Sequence, residues 1–388
     1  MDGQNGPDHA QGSTLGQLNG LRVVEFTHMV MGPSVGVILA DLGADVVKIE
    51  PPGGDRTRSL LGSGAGYFPM FNRNKRSVCL DLKNDLDLAA ALDLCRDADI
   101  VVENFRPGTL DRLGLGYAAL SALNPRLIYC SAKGFLSGPY EDRTALDEVT
   151  QMMGGLAYMT GPPGRPLRAG SSVVDITGGM FGVIGILAAL EQRHRTGKGA
   201  QISCGLFETT AFLVGQHMAQ KDVTGQAAQP MPVRISAWAI YDVFDTRHPD
   251  EQLFVGVVSD GQWIKFCQAF DLADLASDPG YATNNQRVEA RDALLPVVRA
   301  LFAGMDRATL VERLERIGLP FAPIVRPDEL VDDVHLNAHG SLVSLTLADG
   351  TITRLPALPL EIDGQRAGIA YDLPRPGEHN AQLLQTRR

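Results

Sequence analysis

The chain has 388 residues, with 35 Lys and Arg against 45 Asp and Glu, so its net charge is −10. At about 150 residues per domain, this length predicts two or three folding units, each able to bury a core. A hydrophobic content of 44% with 21% charged residues excludes a disordered or fibrous chain. The acidic balance argues against nucleic acid or a membrane as partner, because both require a dominant basic face. A small anionic ligand held by a few local Arg and Lys stays open.

Cys79, Cys95, Cys130, Cys204 and Cys267 are widely spaced with no CxxC pair, which reads as reduced thiols in a cytoplasmic protein and not as a disulfide or zinc framework. Residues 1–20 are polar and lack both a basic start and an apolar stretch, so they read as a flexible tail and not as a signal peptide. The longest apolar run, Ile176 to Leu190, has 15 residues, four of them Gly. That falls short of the roughly 20 needed to span a bilayer and predicts a buried, closely packed helix.

In chain order, Leu21 to Phe26 reads as a buried strand, Thr27 to Gly32 as a loop, and Ser34 to Leu42 as a helix with Pro33 at its first position. Gly43 and Ala44 end it before a second strand, Asp45 to Ile49. This strand–helix–strand unit recurs: Ser77 to Leu82, Leu86 to Arg96 and Asp99 to Glu103, then a broken helix from Leu110 to Leu123 and a strand from Leu127 to Ser131. The alternation predicts an α/β fold, a Rossmann-like domain with a parallel sheet that binds its ligand at the strands' carboxyl ends. Helices follow at Asp147 to Leu156 and Ile176 to Arg195, then a strand from Gln201 to Cys204 and a helix to about Gln220. A Gly/Gln/Ala/Pro stretch near Thr224 to Pro232 reads as a linker into a smaller α+β domain. There, Ile240 to Phe244 and Leu253 to Val258 form a strand pair, with helices at Gly261 to Phe270, Gln286 to Leu301 and Arg307 to Ile317. Leu342 to Leu347, Asp349-Gly350 and Thr351 to Leu355 have a hairpin's pattern. The expected division is a tail at 1–20, a large domain from 21–223 with 335–388, and a linker and small domain at 224–334.

Several chemistries lack their motifs. There is no GxSxG or HExxH, and the loop after the first strand has no GxGxxG, which weakens a dinucleotide reading. His335 and His339 near Asp332 and Asp333 read as a solvated helix end and not as metal ligands. His28 reads equally as a ligand contact or a structural hydrogen-bonder. Gly54 to Arg58 is either a phosphate site or a surface turn.

Taken together, Leu21-Arg-Val-Val-Glu-Phe26, Ala40 to Pro52 (ADLGADVVKIEPP), Asn72-Arg-Asn-Lys-Arg-Ser77, Val102 to Gly108 (VENFRPG), Thr196-Gly-Lys-Gly199 and Pro376-Gly-Glu-His379 resemble the family III CoA-transferases. That group includes formyl-CoA transferase, carnitine CoA-transferase and α-methylacyl-CoA racemase, and the resemblance runs from about residue 18 to 383. It implies an acyl-CoA thioester as substrate, no permanently bound cofactor or metal, and an interlocked homodimer. The family's nucleophilic carboxylate matches Asp175, downstream of Gln151-Met-Met-Gly-Gly155. From the residues alone, Asp175 reads equally as a helix N-cap. As nucleophile, it is expected to stay ionised beside free amides at a helix start, with Gly178 and Gly179 letting a thioester approach. Gln151 and Asp147 would stand near that thioester. The resemblance carries CoA contacts onto Met29, Val30 and Met31, onto Leu80, Lys83, Asn104, Phe105 and Arg112, and suggests Asn74, Lys75 and Arg76 for the phosphates. Pro51 replaces a basic residue of formyl-CoA transferase, turning the phosphate expectation to Arg56 or Arg106.

The implied reaction moves CoA from an acyl-CoA such as succinyl-CoA to a carboxylic, in particular dicarboxylic, acid through anhydride and aspartyl-CoA intermediates. Formyl-CoA transferase's Gly-rich flap has no counterpart here, which turns expectation away from oxalate or formate. The family's racemases place a His where this chain has Leu146, and no Glu stands near Val258 to Asp260, so proton exchange at an α-carbon lacks its pair of acids. A non-catalytic acyl-CoA-binding protein is the other alternative, and it would not need an ionisable Asp175. Arg143, Arg168 and Arg234 are the candidates for a second substrate carboxylate.

Overall fold

The computed structural model describes residues 13–234, 236–248 and 250–384. The chain divides into two compact units: one runs to Pro232 and resumes at Val331, and the other is Val233–Leu330. The α/β architecture expected from the alternating pattern is present.

In the larger unit, β1 (Arg22–Phe26), β2 (Asp45–Glu50), β3 (Lys75–Cys79), β4 (Ile100–Glu103), β5 (Ile128–Lys133) and β6 (Ala200–Gly205) form one sheet. Its order is β3-β2-β1-β4-β5-β6, and each neighbouring pair runs parallel. The inner strands are apolar on both faces because helices cover both. Val23, Val46, Ile100 and Ile128 face one core cluster, and Val24, Val47, Val101 and Tyr129 the other.

The helices of this unit are α1 (Met31–Asp41), α2 (Tyr67–Phe71), α3 (Asp85–Arg96), α4 (Tyr117–Leu123), α5 (Asp147–Met153), α6 (Leu156–Thr160), α7 (Val173–Thr196) and α8 (Leu206–Thr224). The α7 helix has 24 residues, longer than the apolar run alone suggests, and it begins before Asp175. It is long and apolar enough to cross a membrane by composition; here it packs against α1 and the sheet, with Val174, Val183 and Ile186 in the same core as Val35 and Leu39. Its glycines make that packing possible. A Cβ on Gly179 would lie 2.8 Å from Ser34 Cβ and 3.0 Å from the Met31 carbonyl, and one on Gly178 would lie 2.7 Å from Met31 Cε. These two residues therefore serve helix contact.

The chain after Val331 returns to the large unit. It contributes the antiparallel hairpin β10 (Leu342–Thr346) and β11 (Ile352–Pro356). It then lies along β3, where His379 and Asn380 hydrogen-bond the backbone of Ser77 and Cys79. A strand edge is thereby covered. The smaller unit has its own antiparallel sheet, β7 (Tyr241–Asp245), β8 (Gln252–Gly256) and β9 (Phe321–Pro323), with helices α9 (Asp260–Ala269), α10 (Ala273–Ser277), α11 (Asn284–Glu289), α12 (Arg291–Ala303) and α13 (Arg307–Ile317). Trp263, Phe266, Phe302, Leu310 and Leu314 fill its core.

Candidate active site

In a sheet of this order, the strand order reverses between β1 and β4, leaving a crevice at their carboxyl ends. A cavity of about 290 Å³ lies there, lined by His28 to Met31 after β1, Asn104 after β4, Lys133 at the end of β5, Leu146 to Glu148 at the start of α5, and Arg168, Ser172 and Asp175. A larger one, about 1050 Å³, runs along β10 and residues 361–372 and shares no lining residue with it. The small cavity, lined by Asp147, Glu148, Arg168, Lys133 and Asp175, is the candidate site.

The loop between β1 and α1 is held from both sides. Asn104 accepts from the His28 amide at 3.0 Å and donates to the His28 carbonyl at 2.7 Å. From beneath, Lys48 Nζ donates to the Thr27 carbonyl at 2.7 Å and pairs with Asp55 at 3.0 Å. Met29 is held at φ 62°, a conformation that costs a non-glycine residue free energy and persists because its surroundings enforce it. No side chain caps α1, whose first turn opens beside Met29 and Val30. The Phe105 ring lies tilted, 5.4 Å from the His28 ring. Burial foremost, with Lys48 nearby, pulls the His28 pKa below its usual value.

Asp175 stands in the first turn of α7. Its backbone amide and that of Val174 donate to Asp147 Oδ2, at 3.1 and 3.0 Å. The free amides expected to hold Asp175 ionised therefore serve Asp147 instead. Desolvation, reinforced by the Asp147 charge and opposed by Arg168, raises the Asp175 pKa to about 7. Among the described residues, no hydrogen bond to its carboxylate is found. The result is a desolvated carboxylate, destabilised in its charged form and so more reactive toward an electrophile. Gln151 is buried; its amide donates to Asp147 Oδ1 at 2.5 Å and accepts from the Ala169 amide at 2.9 Å. Arg168 places Nη1 2.7 Å from Glu148 and Nη2 3.6 Å from Asp147.

The structure thus brings Met29, Val30, Met31, Asn104, Asp147 and Asp175 to one cavity, with Gln151 directly behind. It keeps the phosphate cluster away. Asn74 is buried, bonding Asp41 and the backbone of Gly368, Ala370 and Tyr371. Lys75 is wholly buried, with Nζ 2.8 Å from Glu25, and desolvation brings its pKa down to about 8. Arg76 pairs with Asp45. Each has a structural partner, and none of the three lines the Asp175 cavity.

Arg58 is likewise bound to Glu50 and lies 3.7 Å over the Phe68 ring. Leu80 is buried and Lys83 exposed, and neither lines the cavity. Arg106 is exposed beside an adjoining cavity that Lys133 shares, while Arg56 and Arg112 are exposed outside the Asp175 cavity. Of the three arginines considered for a second carboxylate, Arg168 lines the cavity, Arg143 lies over Tyr140, and Arg234 belongs to the smaller unit.

Sequence reasoning missed Lys133, whose Nζ bonds Glu103 at 2.5 Å and the Phe105 carbonyl at 3.1 Å. A lone Lys closing an otherwise apolar strand was the available signal. It also missed Tyr67 and Ser63, cavity residues that no local pattern marks.

The chain matches CoA-transferase family III over residues 18–380. It is 36% identical over 371 residues to an acetyl-CoA:oxalate CoA-transferase of Acetobacter aceti, covering 93% of this chain and 92% of that one. It is 35% identical to a succinate–glutarate CoA-transferase of Agrobacterium fabrum, covering 95% and 94%. A solved structure of a CaiB/BaiF family protein from Brucella suis superposes with a TM-score of 0.83 at 32% identity, covering 97% of this chain and all of the other. With its parallel sheet and a desolvated aspartate in the crevice, the chain belongs to the family III CoA-transferases.

Proposed function

We propose that the chain moves CoA from an acyl-CoA donor, succinyl-CoA or a close relative, to a dicarboxylic acid through covalent intermediates on Asp175. The observation that carries this reading is the desolvated Asp175 carboxylate in a cavity it shares with the Arg168 guanidinium.

The Asp175 carboxylate attacks the donor's thioester carbonyl, forming a mixed anhydride and releasing CoA thiolate. The thiolate attacks the aspartyl carbonyl of that anhydride, giving aspartyl-CoA thioester and the free donor acid. The acceptor carboxylate attacks the aspartyl thioester to form a second anhydride, again releasing thiolate. The thiolate then takes the new acyl group and returns Asp175 as carboxylate. Each step passes an oxyanion, and we assign its donors to the Met31 and Gly32 amides in the uncapped first turn of α1, whose third residue, Pro33, has no N–H. The thioester carries the activation, so no permanent cofactor or metal is required.

Arg168, 29% exposed in the cavity, uses Nε on the Ala169 carbonyl and Nη1 on Glu148, and its Nη2, 3.6 Å from Asp147, is the donor we assign to the distal carboxylate of a dicarboxylic acid. The relatives named for glutarate and oxalate support the same acid class and keep oxalate among the acceptors, although no Gly-rich flap is recognised in the sequence. Leu146, in the cavity where a racemase needs a proton carrier, gives racemisation no support. A homodimer is part of the proposal. The outer face of α7 and α8 exposes Met180, Ile184, Phe212 and Met218, an apolar strip that a second copy of the chain would cover. Five unpaired cysteines suit a reducing cytoplasm.

The test presents purified protein with succinyl-CoA and, in turn, oxalate, glutarate, mesaconate and acetate, following new thioesters by chromatography. Transfer to at least one dicarboxylate and none in Asp175→Ala is expected. Transfer to acetate alone, or undiminished transfer in Asp175→Ala, contradicts the proposal.

A further inference from the structure

The Asp147 carboxylate has protein partners on both oxygens, and none of them requires a substrate. One oxygen takes both amides at the start of α7, those of Val174 and Asp175. The other takes the Gln151 amide at 2.5 Å and lies 3.6 Å from Arg168 Nη2. Gln151 in turn accepts from the Ala169 amide. Three separate segments, α5, the strand-free stretch around Ala169 and the first turn of α7, are thus tied through one anion, and both Asp147 and Gln151 are buried.

We infer that Asp147 is the positioning residue of the reaction: it clamps the first turn of α7, so fixing the Asp175 carboxylate against the thioester, and keeps those amides from solvating the nucleophile. Asp147 is not itself a catalytic residue, since its oxygens are turned to the protein. Two consequences follow from the geometry. The N-terminal turn of a helix is a preferred site for an anion, and here one anion fills it so that the neighbouring one cannot. The angle at which Asp175 meets the thioester is set by backbone held from 28 residues away, so loosening the clamp displaces the reacting oxygen. A displacement of about 1 Å costs about 100-fold in rate.

The inference rests on Asp175 being the nucleophile, and its test separates the two. Four proteins are compared: the parent, Asp175→Ala, Asp147→Asn, and the double variant Asp147→Asn with Gln151→Glu. In Asp147→Asn, the amide oxygen still serves the α7 amides, but its NH2 meets the Gln151 NH2. The double variant puts a carboxylate at 151, able to accept from both the new side-chain NH2 at position 147 and the Ala169 amide, and so restores every hydrogen bond. Turnover is read well above neutral pH, where Asp175 is fully ionised, and kcat/KM is then followed downward in pH. Asp147 on α5 and Arg168 are the charges acting on Asp175; His28, Tyr67, Lys133 and Glu148 line the same cavity, and all stay unchanged.

Asp147→Asn is expected to lose about 100-fold in kcat with the KM for acyl-CoA little changed, and to shift the acid limb of kcat/KM down by about one pH unit. The double variant is expected to recover at least about tenfold of the lost kcat. Full kcat in Asp147→Asn with an unmoved limb overturns the inference, as does a double variant no better than a well-folded single one. If the single variant fails to fold, the double variant decides alone: near-parent kcat supports the clamp, and a loss of about 100-fold in a folded protein refutes it. Activity surviving in Asp175→Ala would instead sink the nucleophile assignment on which this rests.

Discussion

Replacing Asp175 by Asn should make the protein more stable above neutral pH while abolishing transfer. Burial raises the carboxyl pKa from 3.8 to about 7, so between these values the folded state binds a proton that the unfolded chain has released. Stability therefore falls as pH rises through that window, because the native state holds more protons than the unfolded one. The difference, 7 − 3.8, is roughly 3 units, and at about 1.36 kcal/mol per unit the ceiling is about 4 kcal/mol. The cavity admits solvent, and halving for that screening leaves about 2 kcal/mol. Asparagine matches the shape and has no charge to desolvate. Thermal unfolding of parent and Asp175→Asn, followed side by side at pH 4 and pH 8, is the assay. The two midpoints should lie close together at pH 4, at the acid edge of that window, where Asp175 is neutral in the folded protein, and the variant should unfold several degrees higher at pH 8. A variant less stable at pH 8, or a gap independent of pH, would refute the idea that the site holds its nucleophile at a cost in stability.

The same ionisation sets activity. Since the carboxylate is the attacking form, kcat/KM should rise through pH 7, and one unit lower about one-tenth of the activity should remain; a profile flat down to pH 5 contradicts this. Arg168→Met should raise the KM for a dicarboxylic acceptor at least about tenfold while leaving the binding of free CoA nearly unchanged, a loss typical of a charge-assisted pair, and equal effects on mono- and dicarboxylic acids would remove Arg168 from recognition. Gly179→Ala should destabilise the large unit by about 1–3 kcal/mol through overpacking against Ser34 and the Met31 carbonyl, as denaturant titration will show. Lys75→Met, which takes the nearer of two lysines from the buried Glu25 and leaves it Lys48 at 3.7 Å, should cost about 3 kcal/mol, the low end for a broken buried pair, without changing the KM for CoA in protein that remains folded. A specific rise in that KM would return Lys75 to the CoA site.

Local periodicity carried most of the fold into view. Strands such as Asp45–Glu50 are short β-branched runs, and Arg307–Ile317 is a helix with the bounds its pattern suggests. What escaped notice was decided over long distances. Asn74, Lys75 and Arg76 read as a basic cluster suited to phosphates. The chain that buries Asn74 arrives some 300 residues later, at Gly368 to Tyr371, and the Lys75 partner lies on another strand. Gly178 and Gly179 read as openings for a ligand because glycine permits close approach, but the approaching group is α1. Asp175 was legible as a position through the family resemblance. Its electrostatics were not, since the anion that takes its helix amides lies 28 residues upstream. Lys133 and Tyr67 reach the cavity through the tertiary arrangement alone.

The covalent role of Asp175 is the central claim, and trapping tests it most directly. The protein is incubated with succinyl-CoA, quenched with hydroxylamine, digested and analysed by peptide mass spectrometry. An aspartyl hydroxamate confined to the peptide carrying Asp175, and absent when acyl-CoA is omitted, is the predicted result. An unmodified Asp175 peptide from protein that transfers CoA at its full rate, or a hydroxamate on another carboxylate, would contradict the account.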